Sequence, residues 1–323
     1  MKAIIWTKFG SPDGLEFQEV ANPTIKDNEI LIRVRATTVS AGDCEIRALK
    51  FPGWIAIPLR LYVGITKPRV KILGQELAGD VEAIGKDVTR FKVGDPVFGI
   101  TGLHFGGYAE YVALSEKTPL AIKPAHLTYD QAAALPVGGT EALHFMRKAA
   151  IQPGEKVLIY GAGGSIGTYA IQLARYFGAG DITAVDSAEK LDMLRAVGAN
   201  HTLDYTKTDF TQTGETYDVI LDVVGKSSFP GSIKALNPNG RFMCANPSFS
   251  QMLRGTRTLG PNGQKIIVGP ANPQGEDLLF LAGLVEAGKL KPVIENRFPL
   301  EQTADAHRYA EAGHKQGNLI ITV

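Results

Sequence analysis

The sequence contains few cysteines and has almost no net charge. Cys44 and Cys244 are the only cysteines among 323 residues, which is too few for a disulfide framework or a four-thiolate zinc site. We therefore expect a reducing, cytoplasmic compartment. The 34 basic and 33 acidic residues leave a formal net charge of +1, and this balance indicates no basic face for a nucleic-acid partner.

Long hydrophobic runs are scarce as well. The longest apolar stretch, 51–65, is interrupted by two prolines and an arginine, whereas a membrane-spanning helix needs about 20 apolar residues. The N-terminus carries a five-residue apolar run, which is shorter than the core of a secretory signal and is typical of a first strand. We therefore expect a soluble protein without a membrane partner.

The length predicts two domains, because one domain commonly takes about 100–200 residues. Over 3–120 the chain consists of short β-rich runs separated by glycine and proline. In one of these runs Ile30, Ile32 and Val34 alternate with Leu31 and two arginines, which is the pattern of a half-buried strand. We predict a mostly antiparallel, β-rich domain for this part of the chain.

After Pro124, β-rich runs alternate with amphipathic helical patterns. This alternation predicts βαβ units and a parallel sheet, because parallel neighbours need a crossover long enough to hold a helix. The last stretch, 276–323, contains two helical and two strand patterns. These could complete the parallel sheet or return to the first domain, and the sequence leaves both possibilities open.

A glycine-rich turn is the strongest motif of the chain. The strand pattern 156–160 runs directly into the turn 161–167, and a helical pattern follows. This order suits a phosphate cradle, because small residues let the backbone approach a pyrophosphate and the helix N-terminus supplies N–H donors. We predict that the following turn residues bind a dinucleotide: Ala162, Gly163, Gly164, Ser165, Ile166 and Gly167.

Asp186 lies 19 residues after Gly167, at the end of the next strand pattern. A carboxylate there can accept hydrogen bonds from the adenosine ribose and favours NADH. Ser187, Lys190 and Tyr205 complete the predicted cofactor residues, and Lys190 and Tyr205 could instead hold the 2′-phosphate of NADPH. Lys190 could equally be a solvated surface charge and Tyr205 a strand-edge residue, so the choice between NADH and NADPH stays open.

The glycine turn lies in mid-chain, after a β-rich domain. This order of domains resembles that of the medium-chain dehydrogenase/reductase superfamily. The segments 74–76 (GQE) and 93–97 (VGDPV) are similar to two signatures of that family. The resemblance implies an α/β fold in which a doubly wound, parallel Rossmann sheet is inserted into a GroES-like β-rich domain.

The same resemblance implies where the domains begin and end. It places the substrate domain at 1–123 and 292–323 and the dinucleotide-binding domain at 124–291. It further implies a substrate site in the cleft between the two domains and a homodimer.

The chain departs from the zinc alcohol dehydrogenases of that superfamily. Ser40 and Gln75 stand where the family has zinc ligands, and 136–138 contains no cysteine, histidine or carboxylate for a third. A catalytic zinc needs three protein ligands, so Glu76 alone cannot hold one. The resemblance is therefore to the zinc-independent quinone oxidoreductase branch, which includes enone and alkenal reductases, and we expect no zinc.

Hydride transfer without a metal ion agrees with a small, hydrophobic, conjugated carbonyl substrate. A quinone or an α,β-unsaturated carbonyl delocalises the charge that hydride addition creates, whereas an isolated ketone needs a Lewis acid. By resemblance, Ser40 and Thr140 are the candidate catalytic hydroxyls. Ser40 could also be a strand-end hydroxyl and Thr140 a helix N-cap. Glu45 replaces a tyrosine that many quinone reductases carry, and no proton donor is identified.

Several features have alternative interpretations. Asp43 and Glu45 could be acid groups of the site, although surface charges are favoured. The apolar segment 51–70 could be a lid or wall for the substrate, a dimer contact or domain packing. Cys244 is expected in the core, and the six histidines show no metal-ligand spacing. A zinc-type alcohol dehydrogenase and a non-catalytic NAD(P)H-binding sensor or structural protein remain the alternative functions.

Overall fold

The structure is a computed structural model, and it describes residues 1–51, 53–254, 256–259 and 262–323. The described chain divides into two compact units. The first unit comprises Met1–Val137, Pro273–Glu286 and Ile294–Val323, and the second comprises Gly138–Asn272 and Ala287–Val293. None of the described helices combines the length and the apolar character that crossing a bilayer requires.

The N-terminal part of the chain supplies most of the first unit and ends in a helix that leads into the second. Its strands and helices in chain order are β1 Lys2–Trp6, β2 Leu15–Glu19, β3 Glu29–Val39, α1 Ala41–Ala48, α2 Gly53–Val63, β4 Glu76–Ile84, β5 Pro96–Ile100, β6 Tyr111–Ser115, β7 Leu120–Ile122, α3 Tyr129–Ala134 and α4 Pro136–Ala149.

The middle part alternates strands with helices, as its sequence pattern predicts. Its elements in chain order are β8 Lys156–Tyr160, α5 Ser165–Tyr176, β9 Asp181–Asp186, α6 Leu191–Val197, β10 His201–Asp204, β11 Tyr217–Asp222, α7 Phe229–Lys234, β12 Leu236–Cys244, α8 Phe249–Arg254, β13 Arg257–Leu259 and β14 Gln264–Val268. The C-terminal part then supplies α9 Gly275–Glu286, β15 Ile294–Pro299, α10 Thr303–Glu311 and β16 Asn318–Thr322.

The sheet of the first unit is mostly antiparallel, which confirms the prediction for the β-rich part. Its strands lie in the order β15-β16-β3-β4-β5-β7, and β6 pairs with β3. Every pair is antiparallel except β15 with β16. The alternation along β3 holds, because Ile30, Ile32 and Val34 are buried while Arg33 and Arg35 are exposed.

The C-terminal strands return to the first unit, which answers the question that the sequence left open. β16 pairs with β3 from Leu319 opposite Val39 to Thr322 opposite Ala36. The buried side chains of β16 then join a hydrophobic cluster with Trp6 from the start of the chain. The two chain ends therefore belong to one core.

The sheet of the second unit has the Rossmann arrangement. Its strands lie in the order β10-β9-β8-β11-β12-β14-β13, and all pairs except β13 with β14 are parallel. A separate hydrophobic cluster that includes Leu158, Ile220 and Phe242 forms its core. Cys244 belongs to this cluster and is fully buried, so its expected place in the core is confirmed.

Candidate functional site

The glycine turn lies where the connections of the second sheet change direction. β8 is flanked by β9 on one side and β11 on the other, and ligands of such sheets bind at the carboxyl end of the strand at this switch point. The chain leaves β8 at Gly161, whose φ of +78° favours glycine. The amides of Gly161 and Ala162 both donate to the carbonyl oxygen of Val185, at 2.9 and 3.2 Å, so the turn is tied to β9.

Gly167 and Gly164 serve the turn in different ways. A Cβ on Gly167 would lie 2.4 Å from the carbonyl oxygen of Ala162, so the close approach of α5 to the turn requires glycine there. A Cβ on Gly164 would meet nothing within 4 Å, and its φ of −85° suits any residue. The fold gives no reason for glycine at position 164.

The space beside Gly164 suits an anionic group. Gly164 is the N-cap of α5 and carries no side chain that could fill the space. Ser165 and Ile166 open the helix, and the first N–H groups of a helix lack intrahelical partners and form the positive end of its dipole. The pyrophosphate of a dinucleotide therefore fits the residues present at this turn.

Asp186 joins the turn to Lys190 in one buried cluster. The amide of Gly163 donates to Oδ2 of Asp186 at 2.7 Å, and the amide of Ser187 donates to Oδ1 at 2.9 Å. The ammonium Nζ of Lys190 lies 3.2 Å from the same Oδ1. Asp186 and Lys190 are 7% and 8% exposed. The interpretation of Lys190 as a solvated charge is therefore wrong, because its side chain lies across Gly163, where a Cβ would come within 2.4 Å of Cδ.

Tyr205 lies beside this cluster. It directly follows β10, which is an edge strand of the sheet, and its ring is about half exposed. Its amide donates to the carbonyl oxygen of Asp186 at 3.2 Å, and its ring centroid is 6.4 Å from that of Tyr160. The structure thus brings the turn, Asp186, Ser187, Lys190 and Tyr205 together at one end of the second sheet.

Ser40 and Asp43 form a buried capping box in the first unit. Ser40 follows β3 and is the N-cap of α1, so it does stand at a strand end. Its hydroxyl and its amide both donate to Oδ2 of Asp43, at 2.7 and 3.0 Å, and the Asp43 amide donates to the Ser40 hydroxyl oxygen at 3.1 Å. Asp43 is 1% exposed, so the favoured interpretation of this residue as a surface charge is wrong. Glu45 is half-buried.

Burial governs the ionisation of Asp43. It raises the pKa of Asp43 to about 6, against the opposing effect of hydrogen bonds from Ser40, Tyr108 and the Gln75 amide. A carboxyl with this pKa can be protonated near neutral pH, whereas an exposed aspartic acid is ionised there. The carboxyl that holds the Ser40 hydroxyl can therefore exchange a proton within the physiological range.

A buried network continues from Tyr108 to the C-terminal helix α10. The Tyr108 hydroxyl lies 3.2 Å from Nε2 of His307, and Nδ1 of His307 lies 3.3 Å from Sγ of Cys44. Burial and the neighbouring Arg47 lower the pKa of His307 to about 3. Arg47 is fully buried and pairs with Glu311 at 2.5 Å. Sequence reasoning missed this network, because Cys44 and His307 are 263 positions apart.

Glu76 is a second buried carboxyl of the first unit. Its Oε1 accepts a hydrogen bond from the Thr38 hydroxyl, and its Oε2 accepts one from the Val137 amide at 2.7 Å. Burial, assisted by the charge of Asp43, outweighs these hydrogen bonds and raises the pKa of Glu76 to about 7. The GQE segment pointed to this residue, but nothing in the sequence indicated that the carboxyl would be wrapped by two donors.

Thr140 lies inside a helix. α4 begins at Pro136, so Thr140 is its fifth residue and is 4% exposed. The interpretation of Thr140 as a helix N-cap is therefore wrong. Its proposed role beside a cofactor stays a prediction.

The described side chains of the apolar segment 51–70 include both buried and exposed ones. Pro52 and the side chain of Trp54 lie outside the described residues. Leu59, Val63 and Val70 pack into the core of the first unit, so domain packing is confirmed for that side of α2. Other apolar side chains of the segment are exposed.

Ser40 and Gln75 stand at the positions where the resemblance places zinc ligands. Within the described ranges, no group of three or more His, Cys, Asp or Glu side chains is arranged to hold a metal ion. The zinc-independence inferred from Ser40 and Gln75 stays a prediction, since it rests on the residue types at those positions.

The strand order of the second unit and its glycine turn define a Rossmann-type α/β protein, and comparison with known proteins agrees. The family described as alcohol dehydrogenase GroES-like domain matches residues 26–124, and the family described as zinc-binding dehydrogenase matches 197–321. The 2-methylene-furan-3-one reductase of Solanum lycopersicum is 33% identical over 99% of this chain and 79% of its own length.

Two further proteins extend this comparison. The chloroplastic NADPH-dependent alkenal/one oxidoreductase of Arabidopsis thaliana is 29% identical over 99% of this chain and 79% of its own. The solved structure of the quinone oxidoreductase from Coxiella burnetii superposes with a TM-score of 0.88 and 30% identity, covering 100% of this chain and 99% of that one. The chain therefore belongs to the medium-chain dehydrogenase/reductase superfamily, as a quinone oxidoreductase-like member. The expected family and fold class are confirmed.

Proposed function

We propose that this protein is an NAD(P)H-dependent reductase of quinones or α,β-unsaturated carbonyls. The observation that carries the proposal is the open space beside Gly164 at the start of α5, which the fold leaves unfilled. The names of similar proteins support the substrate class, since they include a quinone oxidoreductase and an alkenal/one oxidoreductase. A bound nicotinamide supplies a hydride, which an electron-poor carbon of the acceptor receives.

The cofactor contacts that we propose follow from the cluster around Asp186. The first amides of α5, at Ser165 and Ile166, would face the pyrophosphate. Asp186 and Lys190 form an ion pair at 3.2 Å. The Asp186 carboxylate suits the ribose hydroxyls of NADH, and the Lys190 ammonium suits the 2′-phosphate of NADPH. We infer that both cofactors bind, with NADPH favoured when Lys190 leaves Asp186 for the phosphate.

Ser40 and Thr140 are the hydroxyl groups that we propose for the reaction. Ser40 is 9% exposed and is held by Asp43 through two hydrogen bonds. Because the pKa of Asp43 is raised to about 6 by burial, a protonated Asp43 can donate to the Ser40 oxygen, which lets Ser40 donate to an acceptor oxygen. Thr140 would orient the carboxamide of the cofactor.

The zinc-free character of the protein is part of the proposal. Ser40 and Gln75 are weak zinc ligands by type, and Glu76 already accepts hydrogen bonds from Thr38 and Val137. Metal analysis of the purified protein is expected to give far less than one zinc per chain, with activity retained after chelation. Stoichiometric zinc would favour the alcohol dehydrogenase alternative. We also propose a cytoplasmic location, in keeping with two free, buried thiols. The family resemblance further leads us to propose a homodimer.

The deciding experiment follows NADPH and NADH oxidation by absorbance with a panel of quinones and a panel of enones. Oxidation that depends on a conjugated acceptor, with little turnover of simple ketones, is the expected result. Calorimetry of each reduced cofactor is measured in parallel. Tight binding without oxidation of any acceptor would favour the non-catalytic sensor, and absence of binding would contradict both functions.

A further inference from the structure

Residues 50–71 of the first unit, which we call the basic apolar segment, have an unusual charge. The segment contains no aspartate or glutamate, although the whole chain has a net charge of only +1. Its cations are Lys50, Arg60, Lys67, Arg69 and Lys71. In the part of the chain that the structure describes, none of these five forms a salt bridge.

Apolar side chains are exposed on the same segment. Ile57 and Leu61 lie four residues apart on α2, and their side chains are 68% and 62% exposed. Residues four apart share one face of a helix. Ile65, just beyond the helix, is 60% exposed. The opposite side of α2 contains Val63, which is fully buried, so α2 is apolar both toward the core and toward solvent.

The two arginines are anchored beside these side chains. Nε of Arg60 donates to the carbonyl oxygen of Ile65 at 2.8 Å. Nη2 of Arg69 donates to the carbonyl oxygen of Tyr62 at 2.7 Å, and the guanidinium lies 6.0 Å from the Tyr62 ring centroid. The Tyr62 hydroxyl donates to the carbonyl oxygen of Leu103 at 2.9 Å, and Leu103 is 56% exposed. Each of the two arginines thus donates a hydrogen bond to the backbone of an exposed apolar residue of the segment.

We propose that the basic apolar segment docks onto an anionic lipid bilayer, with Ile57 and Leu61 entering the headgroup boundary and the flanking cations facing lipid phosphates. Interfacial helices bind by this combination of apolar burial and attraction to anionic lipids, and each basic side chain near the surface strengthens binding. Long basic side chains can keep their charge among the headgroups while their stems lie against apolar groups. The proposal concerns binding and does not depend on the reaction proposed above.

A second copy of the chain is the less suitable occupant of this surface. A twofold symmetric interface places the same patch of each protomer against the other. Such an interface would bring the cations of the segment in one copy close to those of its partner, and like charges at close range repel. The expectation of no membrane partner rested on the lack of a spanning helix, and surface docking does not require one.

The test is co-sedimentation of the full chain with vesicles of phosphatidylcholine alone or mixed with phosphatidylserine. We expect binding to the mixed vesicles only, weakened by salt. The double variants Ile57→Ser/Leu61→Ser and Lys67→Glu/Lys71→Glu should each lower the partition coefficient by about tenfold or more. The control is Lys92→Glu/Val93→Ser, an exposed pair outside the segment, which should bind like the wild type.

Three results would overturn the proposal. They are absence of wild-type binding to the mixed vesicles, equal loss of binding in the control variant, and a fall in molar mass of the Ile57→Ser/Leu61→Ser variant by light scattering. The last result would make the surface a contact between copies. Thermal melts of every variant identify loss of folding, and the charge variant changes only exposed positions.

Discussion

Gly163 donates its backbone N–H to the carboxylate of Asp186 at 2.7 Å, and this contact joins the glycine turn to the residue that we expect to select the cofactor. The second oxygen of the same carboxylate lies 3.2 Å from Lys190. We therefore expect cofactor selectivity and the shape of the turn to be coupled through Asp186, and variants at this position must separate the two effects.

The first prediction concerns Asp186→Ser. Removing the carboxylate releases Lys190 from its ion pair and removes a negative charge that would repel a 2′-phosphate. We expect the NADPH-to-NADH ratio of kcat/KM to rise about tenfold, equivalent to about 1.4 kcal/mol. Asp186→Asn is the control, because it keeps an acceptor for the Gly163 amide while removing the charge. An unchanged ratio in both variants would contradict the assignment of Asp186 to the ribose.

The second prediction compares alanine at two glycines of the turn. In Gly167→Ala the new methyl group would meet the backbone of Ala162 at 2.4 Å, so we expect about 1–3 kcal/mol of lost stability in urea unfolding. In Gly164→Ala nothing lies within 4 Å, so folding should be preserved while the Kd of NADPH rises several-fold. Normal NADPH affinity in Gly164→Ala would place the pyrophosphate elsewhere.

The third prediction concerns Ser40→Ala. The change removes the α1 cap and one of the hydrogen bonds to Asp43, and we expect a loss of about 1 kcal/mol in unfolding free energy together with a fall in kcat. Thr128→Ala is the matched control, since Thr128 caps α3 of the same unit through a similar capping box. If both variants lose stability but keep full kcat, Ser40 is a cap and not a catalytic hydroxyl.

The fourth prediction concerns the pH dependence of stability at Glu76. Burial raises the pKa of this carboxyl from 4.5 to about 7, so its contribution to stability is fully present below about pH 4.5 and is lost as the pH rises through 7. The side chain of Glu76→Gln cannot ionise. The unfolding free energy of this variant should therefore rise relative to that of the wild type as the pH increases from 5 to 8. The gain is at most about 3 kcal/mol, because one pKa unit corresponds to about 1.4 kcal/mol.

Urea unfolding of the wild type and of Glu76→Gln at pH 5 and at pH 8 measures this difference. Asp43, whose pKa is also raised, is present in both proteins, so its effect largely cancels in the comparison. A difference in unfolding free energy that does not change with pH would show that Glu76 ionises in its usual range.

The sequence by itself determined the parts of this protein that depend on local patterns. Glycine spacing after a strand identified the glycine turn, because the backbone approach between Gly167 and Ala162 leaves no room for a side chain. Alternation along β3 identified a half-buried strand, since successive side chains point to opposite faces. The family followed from motifs of the same local kind.

Only the tertiary structure decided which charges are buried and which partners they find. In sequence Asp43 looks like an ordinary surface charge and Lys190 could equally be a surface charge or a cofactor residue, yet Asp43 is enclosed with Tyr108 and Lys190 lies across Gly163. The return of β16 to β3 and the contact between Cys44 and His307 join opposite ends of the chain. Such contacts depend on how distant segments pack, and no local spacing in the sequence encodes them.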